Sequence, residues 1–246
     1  MVWNQNKIKE TMYKIFQEKL SISLCNLIIE NISGKFLSTE KRHFNKSGKF
    51  FFYENLNRLR LLKNILVELL KKTNVTKKYN NIYLDHAMLL LKSKGGNPTK
   101  PHQDIAFWKK IEKNKVSMIT FWIALEDIDR NKGCLLVSSK QEENLINFNE
   151  KKRYFKHTKI KNTLLIKQDL KKIIFKPLEV LKGNIVAFDA FELHGSTNNM
   201  KTSPRLAFKI VFREGKGLFS VNNFINYFYL TALIFYAKKV LKILKI

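Results

Sequence analysis

Apolar positions in the first third of the chain repeat at helical spacing. Between residues 4 and 31 the apolar side chains recur at this spacing, so we expect one or two amphipathic helices there. A leucine-rich stripe over residues 54–72 predicts another helix. Its leucines are Leu56, Leu59, Leu62, Leu66, Leu69 and Leu70. Residues 33–48, with a glycine near each end, are expected to form a loop.

The pattern changes at Ile82, where helical spacing gives way to short apolar runs. Residues 82–92 form a nearly unbroken run, which is typical of a buried strand, and the glycines of 93–100 indicate a loop. Further strands are predicted over 116–125, 134–137, 184–189 and 205–212. Because no helical pattern separates them, we predict a mainly β fold, an antiparallel barrel or sandwich, with the N-terminal helices packed outside.

Two segments stand apart from this pattern. Residues 139–172 are polar and lysine-rich and contain no glycine; we expect a surface segment that could cover a site. Residues 217–237 carry no charge and lead into lysines that alternate with apolar residues. Three interpretations of this tail stay open: a helix packed on the domain or on a partner subunit, an interfacial amphipathic helix, or a membrane anchor.

These patterns predict one domain over residues 1–215, helical over 1–80 and β-rich over 82–213, followed by a tail helix over 216–246. A chain of 246 residues with 45% apolar content suits one medium-sized globular domain. Its two cysteines define no disulfide framework, which fits a reducing compartment. The polar N-terminus lacks the apolar core of a signal peptide, so a cytoplasmic location is expected, with membrane association through the tail as the variant.

The net charge of +26 has two interpretations. An anionic partner, such as nucleic acid, a coenzyme A-linked substrate or an acidic membrane surface, would use it. A compositional bias also explains it, because the lysines are spread through the chain and not gathered in one tract. The spread favours the compositional interpretation.

Metal-binding chemistry is indicated by His102 and Asp104, two positions apart after a turn. On extended backbone these side chains point the same way. His194, from a later strand, would complete two imidazoles and one carboxylate on one face of an ion, with the opposite face open. Such ligands suit iron, manganese or zinc. For the pair alone, a structural hydrogen bond in a turn is the alternative.

Arg205 narrows the choice of metal. It lies eleven residues after His194, at the start of the next predicted strand. An inward-facing guanidinium can bind a carboxylate through two parallel hydrogen bonds. A cosubstrate that chelates iron at one end and carries a carboxylate at the other, as 2-oxoglutarate does, would span the two features. Zinc hydrolases do not require such an arginine.

An ordered set of motifs carries a family resemblance. The stretches are 86–92, 102–104, 122–125, 126–135, 183–188 and 194–196, followed by Arg205. Over about residues 82–213 they resemble, in order and spacing, the phytanoyl-CoA dioxygenase family of Fe(II)/2-oxoglutarate-dependent oxygenases. The chain departs from the family at 138–141, where the usual Gly-Ser-His is absent. The resemblance therefore leaves the substrate undefined.

The resemblance implies a double-stranded β-helix, or cupin-like jelly roll, with flanking helices. It implies iron ligation by His102, Asp104 and His194. It implies that Arg205 binds the distal carboxylate of 2-oxoglutarate, helped by Ser196, in a pocket also lined by Met88, Gln103 and Trp122. The expected reaction uses O2 and 2-oxoglutarate, releases succinate and CO2, and hydroxylates an unactivated C–H bond of a small or lipid-like metabolite. Related halogenases lack the carboxylate ligand, so the presence of Asp104 favours hydroxylation.

Two rival functions remain in view. An AlkB-like nucleic-acid demethylase would fit the charge, but those proteins carry a second arginine six positions after the first, where this chain has Val211. Arg213 is eight positions after Arg205, which counts against nucleic acid as the substrate. A non-catalytic jelly-roll binding module would be expected to have lost a ligand or the arginine, and neither is missing.

Overall fold

The computed structural model describes residues 13–31, 45–48, 56–78, 82–107, 118–138, 148–152, 161–165 and 173–214. The helices are α1 (Ile22–Glu30), α2 (Leu56–Thr73) and α3 (Val75–Lys78). The first six strands are β1 (Tyr13–Ile15), β2 (Asn45–Gly48), β3 (Ile82–Lys92), β4 (Thr99–His102), β5 (Met118–Ala124) and β6 (Leu135–Ser138). The others are β7 (Phe148–Lys152), β8 (Lys161–Leu165), β9 (Phe175–Leu178), β10 (Ile185–Asp189), β11 (His194–Ser196) and β12 (Arg205–Glu214).

Two antiparallel sheets form the core of the fold. The larger has six strands in the order β1-β10-β5-β12-β3-β2, and the smaller has four in the order β4-β11-β6-β9. Apolar side chains from the facing sides of the two sheets, among them Trp122, Val137 and Val186, make one buried cluster. This arrangement is the predicted jelly roll with flanking helices.

The larger sheet is covered on both faces. Along β5, Trp122 and Ala124 belong to the cluster between the sheets, whereas Phe121 and Ile123 belong to the cluster shared with the helices. Strand side chains alternate between faces, so a strand buried on both sides is apolar at successive positions. This burial explains the unbroken apolar runs. On β12 the same alternation turns Arg205 and its alternate neighbours toward the smaller sheet.

Helix α2 packs its leucine stripe on the outer face of the larger sheet, as predicted. Leu62 and Leu66 are fully buried there, together with Ile28 of α1. Glu68 of α2 accepts hydrogen bonds from the backbone nitrogen of Ser21 at 2.6 Å and from its hydroxyl at 2.9 Å. These bonds fix the start of α1 against α2.

The helical prediction is wrong over residues 13–15. This segment forms β1 and pairs with β10, Tyr13 opposite Phe188. Hydrogen bonding to the sheet edge outweighs the local helical spacing, which for a short segment is a weak preference. The predicted loop over 33–48 is likewise wrong at 45–48, which form β2 beside β3. Residues 4–12 and 33–44 lie outside the described residues.

The insertion over 139–172 contains structure that its sequence did not indicate. Strands β7 and β8 pair as a separate two-stranded sheet, and β8 lies beside β4 and the turn that follows it. Its other residues, and the tail over 216–246, lie outside the described residues. No helix in the described part of the chain is both long enough and apolar enough to cross a bilayer.

Candidate active site

Strand pairing brings the two candidate histidines together. His102 ends β4, His194 begins β11, and the two residues lie directly opposite each other in the smaller sheet. The sequence predicted extended backbone at Asp104, and this prediction is wrong. Asp104 opens a short 3-10 helix, Asp104–Phe107, directly after β4. The turn is anchored by Gln103, whose amide nitrogen donates to the carbonyl of Phe191 at 2.7 Å. One tether thus joins the backbone that carries all three side chains.

The three side chains converge on one point. Asp104 Oδ1 lies 3.9 Å from His102 Nε2 and 3.8 Å from His194 Nε2. One ligand atom from each residue lies within 4.8 Å of the other two. Imidazole and carboxylate bonds to divalent ions are about 2.1 Å long, so a small closure would place an ion among them. Two imidazoles and one carboxylate are the donor set of the non-haem iron facial triad.

Backbone carbonyls orient both imidazoles. The Nδ1 of His102 donates to the carbonyl of Lys100, and the Nδ1 of His194 donates to that of Glu192, each at 2.9 Å. An Nδ1 that carries the proton leaves the lone pair on Nε2, the atom that faces Asp104. Both rings are therefore held in the tautomer and orientation that metal binding needs.

The protonation states also suit a cation. Burial lowers the pKa of His194 to about 3, and burial likewise lowers the pKa of His102. For Asp104 burial alone would raise the pKa, but the charges of Lys209 and of the two imidazoles outweigh it and hold the pKa well below its usual range. The site at neutral pH is thus two neutral imidazoles and one carboxylate, as metal binding requires.

Lys209 is a residue of this site that the sequence analysis missed. Its Nζ donates to Asp104 Oδ2 at 2.6 Å, and the hydroxyl of Thr120 donates to the same oxygen at 3.2 Å. Lys209 lies on β12 at an even spacing from Arg205, and strand periodicity therefore puts both side chains on one face. That spacing was the available signal. Met88 and Trp122 are the cross-strand neighbours of Lys209.

Arg205 makes no ion pair with any carboxylate of the described residues. It is buried, and its Nε and Nη1 make no hydrogen bond, although burial, which lowers its pKa to about 10, leaves it charged at neutral pH. Lys209 and Arg213, farther along β12, are paired with Asp104 and Asp85. Buried guanidinium donors are normally satisfied, so this end of the site fits a carboxylate that the described residues do not supply.

The surroundings of Arg205 include two other predicted pocket residues. Its guanidinium carbon lies 5.8 Å from the centre of the Trp122 ring. Ser196, on the same strand as His194, accepts a hydrogen bond at 2.8 Å from Lys92, and Lys92 is the cross-strand neighbour of Arg205. The cosubstrate contacts expected of Met88 and Gln103 stay predictions.

Comparison with known proteins identifies this arrangement. The sequence model described as phytanoyl-CoA dioxygenase (PhyH) matches residues 5–207. The chain belongs to the phytanoyl-CoA dioxygenase family. The family resemblance found in the motifs is thereby confirmed, and the protein is an Fe(II)/2-oxoglutarate-dependent dioxygenase that uses O2 and acts on small molecules. No curated protein sequence matches the chain significantly.

Solved structures share the fold of this PhyH protein at low sequence identity. EvdO2 from Micromonospora carbonacea var. aurantiaca, complexed with 2-oxoglutarate, has a TM-score of 0.60 and 14% identity over 89% of this chain and 94% of its own. The epimerase SnoN, complexed with Fe3+, α-ketoglutarate and nogalamycin RO, has a TM-score of 0.60 and 15% identity over 85% and 81%. The carbocyclase SnoK from nogalamycin biosynthesis has a TM-score of 0.57 and 15% identity over 84% and 81%.

Proposed function

We propose that this PhyH protein hydroxylates an unactivated C–H bond of a small or lipid-like metabolite. His102 and His194 would bind Fe(II) through Nε2, and Asp104 through Oδ1. Arg205 would bind the distal carboxylate of 2-oxoglutarate, with Ser196, Trp122, Met88 and Gln103 around it. The catalytic unit would be the single domain over residues 1–215.

The observation that carries the proposal is the presence of a three-ligand cluster together with a buried arginine that makes no ion pair within the described part of the chain. A dicarboxylate that chelates iron through its 2-oxo acid end would present its far carboxylate to the guanidinium of Arg205. Its Nε and Nη1 make no hydrogen bond with any of the described residues. A zinc hydrolase site would have no use for a buried guanidinium at this position.

Bound Fe(II) and 2-oxoglutarate supply the oxidising chemistry, in which O2 is consumed and succinate and CO2 are released. The protein's part is to hold and orient. The carbonyls of Lys100 and Glu192 keep Nε2 of each histidine directed at the ion. Lys209 and Thr120 engage Oδ2 of Asp104, which leaves Oδ1 for the metal. Burial excludes water from Arg205 and strengthens its attraction for a carboxylate.

Hydroxylation, within the wider class of oxidative outcomes, is supported by Asp104. The carboxylate ligand is in place, so the site has no position vacated for a halide. The similar structures include an epimerase and a carbocyclase, and the fold by itself therefore does not select the outcome.

The cofactor assignment is tested by adding Fe(II) and 2-oxoglutarate to the protein without oxygen. A metal-to-ligand charge-transfer absorption band is expected. It should be lost in His102→Ala and weakened in Arg205→Ala. A wild-type protein without the band would refute the assignment.

The substrate class is tested by succinate release. Acyl and amino-acid panels should stimulate release, and methylated DNA should not. Stimulation by methylated DNA alone would favour the AlkB-like alternative, which the charge first raised.

Peripheral membrane association through residues 217–246 is a separate proposal, supported by their uncharged stretch and the lysines that follow it. Flotation with anionic liposomes should capture the full chain and lose the chain truncated after residue 216. Equal recovery of both would contradict it.

A further inference from the structure

Lys92 is a buried ammonium that pairs with no carboxylate of the described residues. Its side chain, at the end of β3, is only 1% exposed. The Nζ donates to the carbonyl of Asn97 at 3.0 Å, to the carbonyl of Thr197 at 2.5 Å and to the hydroxyl of Ser196 at 2.8 Å. These bonds use all three ammonium hydrogens. Lysine is almost never fully buried unless it is paired, so this one needs an explanation beyond its neutral acceptors.

A second buried cation lies directly across the sheet. Lys92 and Arg205 are cross-strand neighbours in the register of β3 and β12, on the face toward the smaller sheet. Like charges in this position destabilise a sheet. Glu126 attracts Arg205, but its oxygens accept hydrogen bonds from Lys132 and from the backbone of Leu206. A single anion bound near both cations would offset the repulsion between them.

Gly133 provides the space for the lysine stem. A Cβ on Gly133 would lie 2.7 Å from Cδ of Lys92, and Gly133 has a φ of +73°. Burial, reinforced by Arg205, lowers the pKa of Lys92 to about 7. A nearby anion would reverse that effect by favouring the charged form.

Ser196 links Lys92 to the cosubstrate pocket. Its oxygen accepts from Lys92, so its own proton must point toward a different acceptor. Ser196 lies two residues after the candidate ligand His194, on the strand that carries both. An ammonium on the acceptor side of a hydroxyl also makes that hydroxyl a stronger donor, because successive hydrogen bonds polarise one another.

We propose that Lys92 is a positioning residue for the distal carboxylate of 2-oxoglutarate, holding Ser196 so that its hydroxyl donates to that carboxylate and adding a second positive charge to that of Arg205. The proposal rests on the proposed function of the site. It extends cosubstrate recognition to a residue on β3, in the sheet that carries Arg205.

The test compares two cosubstrates in the full-length protein without oxygen. Fe(II)-loaded Lys92→Met is titrated with 2-oxoglutarate and with 2-oxobutyrate, which has the same chelating end but no distal carboxylate. The readout is the charge-transfer absorption band, a measure of binding and not of turnover. We expect the Kd for 2-oxoglutarate to rise about tenfold and that for 2-oxobutyrate to change less than about twofold. The reason is that only 2-oxoglutarate carries a distal carboxylate, which the charge of Lys92 attracts.

An equal loss for both acids would make Lys92 a merely structural residue and would overturn the proposal, as would no loss for either. Ser196→Ala, which leaves the lysine in place, should show a smaller selective loss for 2-oxoglutarate; an unselective effect would also overturn it. This variant keeps the proposal testable if Lys92→Met does not fold. A wild-type protein that gives no band with either acid would instead refute the proposed function.

Discussion

Lys209 and Asp104 form a buried ion pair within the candidate metal site. The lysine Nζ lies 2.6 Å from Oδ2 of Asp104, and Oδ1 of the same carboxylate faces both imidazoles. The two oxygens are thus committed to different tasks. Lys209 turns the carboxylate so that one oxygen is presented to a metal, and it supplies a counter-charge to Asp104 before a metal binds.

Replacing Lys209 with methionine should therefore destabilise the metal-free protein. The carboxylate would stay buried without a cation, a change that typically costs about 3–5 kcal/mol. A divalent ion would compensate the same charge, so the variant should gain more thermal stability from added metal than the wild type does. Thermal denaturation with and without a divalent ion measures both effects.

Lys201→Met is the matched control for this prediction. Lys201 pairs with Asp129 at 3.0 Å, but both side chains are largely exposed, 44% and 47%, and an exposed pair contributes about 1 kcal/mol or less. Equal melting temperatures for Lys209→Met and Lys201→Met without metal would contradict the role assigned to Lys209.

Alanine substitutions at Gly133 and Gly183 separate the effect of backbone strain from an effect on 2-oxoglutarate binding. Both have positive φ, +73° and +84°, and a Cβ at Gly183 would lie 2.4 Å from the carbonyl oxygen of Leu20. Alanine at either position should destabilise the protein by about 1–3 kcal/mol. Only Gly133→Ala should also weaken 2-oxoglutarate binding, because its new methyl group displaces Lys92. Comparable binding by the two variants in the band titration would contradict this.

Lys92 should also appear in the pH dependence of stability. Its pKa is lowered from 10.5 to about 7 in the folded protein, so between these values the unfolded chain holds a proton that the native protein has lost. Stability from this group therefore rises with pH across that window and is lost as pH falls through about 7. The free energy of unfolding of the wild type, minus that of Lys92→Met, should increase from pH 7 to pH 10.

The titratable groups around Lys92 are present in both the wild type and Lys92→Met. They are Arg205, opposite it on β12, and the buried thiol of Cys134, whose pKa burial raises. Their own titration largely cancels in the difference. A difference that is flat or falls over this pH range, measured by denaturant unfolding, would show that the ammonium is not disfavoured in the native state.

The residues predicted from sequence were those whose chemical type is typical of metal or carboxylate binding. Histidine and aspartate two apart, a distant histidine and a later arginine could be recognised because few such combinations exist in the chain. Backbone conformation was harder to predict from the sequence. Asp104 was expected on an extended strand but opens a 3-10 helix. Its convergence with the histidines depends on a turn fixed by contacts distant in sequence, such as Gln103 with Phe191.

Lys92 and Lys209 were missed for a different reason. The chain has 46 lysines and arginines, and one lysine in such a background has no distinguishing sequence signal. The positions of these two lysines relative to the site depend on the register between β3 and β12, which places Lys92 opposite Arg205 and Lys209 opposite Met88. Strand register follows from the whole sheet, and the edge strands β1 and β2 were likewise invisible to local periodicity.

Arg205 should reduce the stability of the protein in the absence of cosubstrate. A buried charge without a partner is unfavourable, and replacing even a buried ion pair with apolar residues of similar size often stabilises a protein by about 1–4 kcal/mol. We therefore expect Arg205→Met to melt at a higher temperature than the wild type when no 2-oxoglutarate is present. The same variant should lose the stabilisation that Fe(II) and 2-oxoglutarate together give the wild type.

Arg213→Met is the control, because it removes a cation from the same face of β12 whose carboxylate is present. Arg213 binds Oδ1 of Asp85 at 3.0 Å, so its loss leaves that carboxylate, among the described residues, with only the contact of its Oδ2 with His86 Nδ1 and should lower the melting temperature. Opposite signs for the two substitutions would identify Arg205 as the residue whose anion comes from outside the chain. A lower melting temperature for both would mean that Arg205 is satisfied within the protein, and the assignment of its donors to 2-oxoglutarate would fail.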